Sequence, residues 1–310
     1  MDLGPWPQIP RAQADACAKR VAEIQSTFHD EVDMWDTTMV SEYADEILQY
    51  MGELEVQTMP NPDYLDTQAE LTVNMRFKLV DWIAQVHMRY HLLPETLWIA
   101  VNIMDRFLSK RAVSLEKVQL VGMTALFIAA KYEEIIAPSV EEFVWISDKA
   151  FSREEILKGE RIVLQTLDFR VSSYCSPYTW VRRISKADDY DLQTRTLSKF
   201  LIECTLLDHR FLRAKPSLIA ALGMYSARKI LGGDWDAPFI FYSGFTAEEL
   251  DPGHIFLLEK LVDENFAQCS ICLKYASKKF LKASLFAIDW AKNNYTTLTQ
   301  PGVEQKMLMT

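Results

Sequence analysis

The stretch NMRFKLVDWIAQVH, residues 74–87, constrains the fold more than any other part of the chain. Met75, Leu79, Trp82 and Val86 recur at helical spacing and form one apolar stripe. Phe77, Val80, Ile83 and Ala84 form a second. A helix lying on the surface of a small domain needs one stripe. Two stripes place this helix between several others, as an inner member of a helical bundle. Arg76 and Asp81 sit inside the same pattern. A charge carried into such a core costs several kcal/mol unless it is paired, so partners are expected elsewhere in the chain.

More helices follow at short intervals. The pattern predicts them at about 73–90, 94–109, 114–134, 139–147 and 152–167. Pro94 suits a first-turn position, where its missing N–H costs nothing. Ser139-Val-Glu-Glu142 and Ser152-Arg-Glu-Glu155 have the form of capping boxes, in which serine and glutamate satisfy free N–H groups reciprocally. A second series is expected at about 176–186, 191–208, 215–231, 246–272 and 277–293. The fourth of these is broken near Pro252-Gly253 and opened by the box Thr246-Ala-Glu-Glu249. Each series has a very apolar third helix, VGMTALFIAAKYEE and SLIAALGMYSARKI. The chain thus reads as two similar five-helix units. Ahead of them, residues 41–58 form an amphipathic helix, closed by Pro60 and Pro62.

The charge is uneven. Residues 1–70 hold fifteen acidic and three basic residues, while the whole chain is at −10, which leaves the remainder at +2. Residues 1–40 are therefore expected to be an acidic, poorly ordered segment with a helix at about 14–28, and residues 296–310 a tail. A near-neutral body lacks the basic stripe that nucleic-acid binding needs, so no direct nucleic-acid partner is expected. The longest uncharged run, residues 118–130, is too short for a bilayer, and no membrane association is expected. Five cysteines, with no secretory leader ahead of them, are expected to be reduced thiols of the nucleus or cytoplasm. The single Cys-x-x-Cys at 269–272 has no second ligand pair, so neither a metal nor a cofactor is expected.

Several long blocks, in order, resemble the cyclin box: MRFKLVDW, NIMDRFLS, VQLVGMTALFIAAKYEEI with PSVEEFVWISD, and EILKGERIVLQTLDF. The later blocks WVRRISKADDYD, LSKFLIECTLLDH and KYASKKF resemble the second half of a mitotic, B-type cyclin of fungal type. The resemblance covers about residues 30–295. It implies an all-α chain of two tandem five-helix cyclin folds, at 73–170 and 171–295, preceded by an N-terminal helix. It implies a non-catalytic subunit that activates a cyclin-dependent protein kinase in mitosis, in nucleus and cytoplasm.

The resemblance also implies site residues. Arg76 would pair with Asp105 inside the first fold. Lys131, Tyr132, Glu160, Leu164 and Phe169 would meet the kinase. Met75, Leu79, Trp82 and Gln119 would line a shallow groove for Arg-x-Leu segments of substrates and inhibitors. There, Phe77 and Lys78 replace a small and an aliphatic residue, and Lys78 would weaken docking of a basic peptide. Arg182, Arg195 and Lys199 would bind phosphorylated partner proteins.

Two other readings stand beside this one. A transcription-factor-like double cyclin fold would need a basic face. An all-α isoprenoid-type enzyme would need acids at helical i, i+4 spacing to hold Mg²⁺–diphosphate. Asp188-Asp189-Tyr190-Asp191 lacks that spacing, and no phosphate-loop, zinc-protease or serine-hydrolase motif is present.

Overall fold

The computed structural model describes residues 6–28, 41–171 and 173–299. Every regular element among them is helical. The residues fall into two compact units. One is built on Glu31–Ser176 with Leu206–Pro216; the other is built on Met1–Asp30, Pro177–Thr205 and Ser217–Thr310. In chain order, α1 (Arg11–Thr27) belongs to the latter and α2 (Ala44–Gln57) to the former.

The first of these units contains α3 (Val73–Arg89), α4 (Pro94–Lys110), α5 (Leu115–Glu133), α6 (Val140–Ile146) and α7 (Arg153–Thr166). α5 packs against α3, α4 and α7, and residues 121–130 of it are buried on every side. That burial explains its all-round apolar sequence. Both expected capping boxes form: Glu142 N–H donates to Ser139 Oγ at 3.3 Å, and Glu155 N–H donates to Ser152 Oγ at 3.2 Å. The glutamates reach back to the serine N–H groups at 2.6 and 3.0 Å. α5 and α7 come so close that a Cβ on Gly159 would lie 2.8 Å from Thr124 Oγ1. A mid-helix glycine costs about 1 kcal/mol against alanine, and this approach is its reason.

The second unit contains α8 (Pro177–Ile184), α9 (Leu192–Leu206), α10 (Pro216–Ile230), α11 (Ala237–Ser243), α12 (Ala247–Val262), α13 (Ser270–Tyr275) and α14 (Ala283–Thr299). Two details depart from the sequence reading. α11 is absent from it, because seven residues are too few for periodicity to register. Its helicity rests on burial of Phe239, Ile240 and Tyr242, with Trp235 stacked on Phe239 at 4.9 Å. The expected break at Pro252 does not form either. Proline at the sixth residue of α12 forfeits one intrahelical bond, and the chain breaks after Val262 instead. Matched by order and by their short fourth members, α3–α7 correspond to α8–α12. α13 and α14 are then an extension beyond the second five-helix set.

The helix expected at about 14–28 is present as α1, and the residues just ahead of it depart from the expected weak order. Trp6 is buried, and its indole N–H donates to the Glu249 carbonyl at 3.0 Å. A Cβ on Gly253 would lie 2.8 Å from the Trp6 ring, so glycine is required where the ring lies on α12. Further along, the Thr246 hydroxyl donates to Cys17 Sγ at 3.1 Å. Residues 1–5, 29–40 and 300–310, which hold the rest of the expected N-terminal segment and most of the expected tail, lie outside the described residues.

None of the five cysteines forms a disulfide. Cys269 Sγ caps α13 by accepting the Cys272 N–H at 3.4 Å, so the Cys-x-x-Cys spacing is that of a helix start. No group of three or more metal-binding side chains occurs among the described residues. None of their helices is long and apolar enough to cross a membrane.

Candidate functional site

Arg76 is 2% exposed and lies flat against Asp105. Its Nε donates to Asp105 Oδ1 at 2.9 Å and its Nη2 to Oδ2 at 2.7 Å, a bidentate pair. The Tyr64 hydroxyl donates to the same carboxylate at 2.8 Å, and Arg76 Nη1 donates to the Leu206 carbonyl at 2.9 Å. Burial alone would lower the arginine pKa, but the Asp105 carboxylate more than reverses that. The Tyr64 phenol is pushed up, first by burial and then by Asp105. Tyr64 was not legible in the sequence: it follows a proline-broken stretch and has no helical register to give it away. The second charge of the opening stretch, Asp81, has a local solution, accepting from Gln85 Nε2 at 2.9 Å one helical turn on.

A second cluster lies where α5 ends beside α7. Lys131 forms an ion pair with Glu160, and its ammonium sits 4.4 Å from the Phe127 ring centroid. Leu164 is half-buried one turn along α7 from Glu160. Phe169 is 67% exposed and follows Asp168 in a left-handed turn, with φ values of 56° and 52°. That turn is clamped. Phe169 N–H donates to the Leu164 carbonyl at 2.9 Å, Lys110 Nζ lies 3.7 Å from Asp168, and Arg106 Nη1 donates to the Arg170 carbonyl at 2.9 Å. The aromatic ring is thus held in solvent by a rigid backbone. Tyr132 is exposed, as are Ile135 and Ile136, at 99% and 88%. These two isoleucines were missed from the sequence. The available signal was two adjacent large aliphatics just past a helix end, where solvated residues are expected.

The groove residues divide by depth. Leu79 is buried, and a Cβ on Gly122 would lie 2.8 Å from its Cδ1, so α3 and α5 meet closely there. Met75 and Trp82 are half-buried, Gln119 is exposed, and Lys78 is exposed beside them on α3.

In the second unit, Arg195 and Lys199 lie one turn apart on α9 and are half-buried. Lys199 Nζ is 5.3 Å from the ring of Tyr178 on α8, and Arg182 is exposed one turn beyond Tyr178. Arg195 is 5.9 Å from the Tyr190 ring, and its Nε is buried with no hydrogen-bond partner among the described residues. The nearby acid, Glu203, is engaged: Tyr178 and Tyr275 donate to it at 2.6 and 2.7 Å, and Lys274 at 2.7 Å.

The family profile of the cyclin N-terminal domain matches residues 46–172, and that of the cyclin C-terminal domain matches residues 175–289. The chain belongs to the cyclin family. This cyclin is 50% identical over 283 residues to the G2/mitotic-specific cyclin-B of Emericella nidulans, a match over 88% of this chain and 58% of that protein. It is also 50% identical over 295 residues to the G2/mitotic-specific cyclin cdc13 of Schizosaccharomyces pombe, over 92% of this chain and 59% of that one. The chain therefore spans somewhat under two thirds of the length of these relatives. Among solved structures, a viral cyclin from herpesvirus saimiri superposes with a TM-score of 0.59 at 18% identity, over 69% of this chain and 96% of the viral one. That likeness concerns the fold.

Proposed function

We propose that this cyclin is a regulatory subunit that binds and activates a cyclin-dependent protein kinase, and that it acts in mitosis as its fungal relatives are named for. The supporting observation is the rigid, exposed apolar face of the first fold, with Tyr132, Ile135, Ile136 and Phe169 around the Lys131–Glu160 pair. A monomer rarely leaves such large apolar groups together in water unless another protein covers them. A kinase becomes active when a glutamate on its helix C reaches the lysine of strand β3. A surface that binds helix C only in its inward position shifts that equilibrium by its preference for one state. On this reading the cyclin supplies no catalytic group. Lys131 and Glu160 would orient the contact, while Phe169, Leu164 and the isoleucines would supply buried area. An obligate pairing of this kind buries about 2,000 Å² or more.

Two further contacts belong to this proposal. Met75, Leu79, Trp82 and Gln119 would take an apolar segment of Arg-x-Leu type, less tightly than a groove without Lys78. Arg182, Arg195 and Lys199 would take a phosphorylated residue through cationic heads carried on the neighbouring helices α8 and α9. Action in both nucleus and cytoplasm completes the proposal. Its test is the double variant Lys131→Ala with Glu160→Ala. Kinase activation should fall by at least about 100-fold at fixed concentration, because interface energy concentrates in a few central residues. The melting temperature should move little, since Lys131 is substantially exposed and removing both partners leaves neither charge stranded. A double variant that activates the kinase at the parent's concentration would remove this face from the interface.

A further inference from the structure

The extension beyond the second five-helix set carries a surface that the kinase reading does not use. Residues 274–292 hold five lysines and one aspartate, in a chain whose net charge is −10. Lys274 is committed to the buried Glu203. Lys278, Lys279, Lys282 and Lys292 are exposed and make no ion pair among the described residues. Large apolar side chains stand among them: Leu273, Leu281, Leu285 and Phe286 are all exposed, Leu285 to 53%. The backbone presents part of this set deliberately. Leu281 and Lys282 have φ values of 53° and 55°, a left-handed pair that leucine rarely enters. Their N–H groups are tied to the carbonyls of Lys278 and Ser277 at 3.1 Å each. Between α13 and α14 lies a cleft of about 230 Å³, walled by Leu273, Ala276, Leu285 and Ile288, with Lys292 and Asp289 at its edge.

We infer that this face is a docking site for an acidic peptide segment carrying a bulky apolar side chain. The cleft would take the apolar group, and the four lysines would engage the flanking carboxylates. Charge complementarity selects the acidic partner: Lys278, Lys279 and Lys282 stand exposed within five residues that contain no acid, a local positive cluster on an acidic protein. The concave cleft favours a peptide over a bilayer, which needs no single-side-chain pocket. Asp289 sits where a carboxylate would be repelled, so the acidic groups should lie toward Lys278 and Lys282. The site is separate from the Lys131–Glu160 face, which lies in the other unit.

Fluorescence anisotropy of the full chain with a labelled peptide, Gly-Asp-Glu-Phe-Asp-Glu-Gly, tests this. Saturable binding is expected, and it should weaken as salt rises from about 0.05 M to about 0.3 M, where exposed charges are more strongly screened. Replacing the peptide's phenylalanine by alanine, or its acids by lysine, should each cost about tenfold or more. The variants Lys278→Glu with Lys282→Glu, and separately Leu285→Asp, should cost as much, while their melting temperatures stay near the parent's because all three residues are exposed. Lys131→Ala with Glu160→Ala should leave this binding unchanged even where it abolishes kinase activation. The inference is overturned if the peptide fails to saturate at low salt, if the lysine-substituted peptide binds equally well, or if the Leu285 and lysine variants bind like the parent. It is also overturned if vesicles with about 30% phosphatidylserine capture the chain while the peptide does not, which would make the face a membrane contact.

Discussion

Each cyclin fold holds a buried acid on its second helix, Asp105 on α4 and Glu203 on α9, and the cations that meet these acids differ in enclosure. Arg76 and Glu203 are both 2% exposed, but their partners differ. Asp105, facing Arg76, is itself fully enclosed, and Tyr64 closes the remaining side. Lys274, facing Glu203, keeps 14% of its side chain at the surface, and two tyrosines supply the other bonds. The same helix order therefore accepts either an arginine or a lysine against its buried acid. What it requires is that every donor and acceptor be met, because a buried ion without a partner costs far more than a met one contributes. The difference in enclosure should decide which centre is harder to disturb.

The largest effect is expected at the fully enclosed centre. Arg76→Ala would strand Asp105 in a site that water does not reach, a loss of about 3–5 kcal/mol. Glu203→Gln keeps hydrogen bonding to the tyrosines and frees a lysine that can turn to solvent, so about 1–2 kcal/mol is expected there. Denaturant melts of the two variants would order them. Equal losses, or a greater loss at Glu203, would break the comparison.

An effect confined to the second fold comes next. His254 is buried against the Ser226 hydroxyl, 2.9 Å from its Nδ1. Burial, with a smaller push from Lys229, lowers its pKa from 6.5 to about 4. The unfolded chain takes up a proton between those values and the folded chain does not. Stability from this group is therefore complete above pH 6.5 and lost progressively as pH falls toward 4, by about 3 kcal/mol in all. Melts across that window should show the loss in the parent and a shallower slope in His254→Gln. The same slope in both would mean that the imidazole takes its proton without unfolding the site.

The smallest effect distinguishes the folds by surface rather than core. Lys78 is exposed on α3, so Lys78→Ile should leave the melting temperature within about 1 °C of the parent. It should strengthen binding of a labelled Arg-x-Leu peptide by about threefold to tenfold, by removing one like charge. No gain would place the peptide elsewhere or leave the groove unused.

Local chemistry in the sequence was enough for much of this architecture. The doubly apolar stretch at 74–87, the proline at 94 and the three capping boxes each depend on residues within a turn or two of one another. So does the i, i+4 pair of Arg195 and Lys199. The resemblance of ordered blocks added the pairs Arg76–Asp105 and Lys131–Glu160, and the structure brings both together. What stayed hidden depends on neighbours distant in the chain. Tyr64 joins the buried pair from an irregular segment, and α11 is helical because three of its seven residues are enclosed. α12 continues through Pro252, with Trp6 lying against Gly253 from the far end of the sequence. Ile135, Ile136 and Leu281 look like core residues by composition and stand in water. The sequence by itself determined which stretches coil and where their apolar faces lie, because those follow from short-range periodicity and capping. Which faces are covered, and by what, was decided only by tertiary packing, since burial is a property of the neighbours and not of the residue.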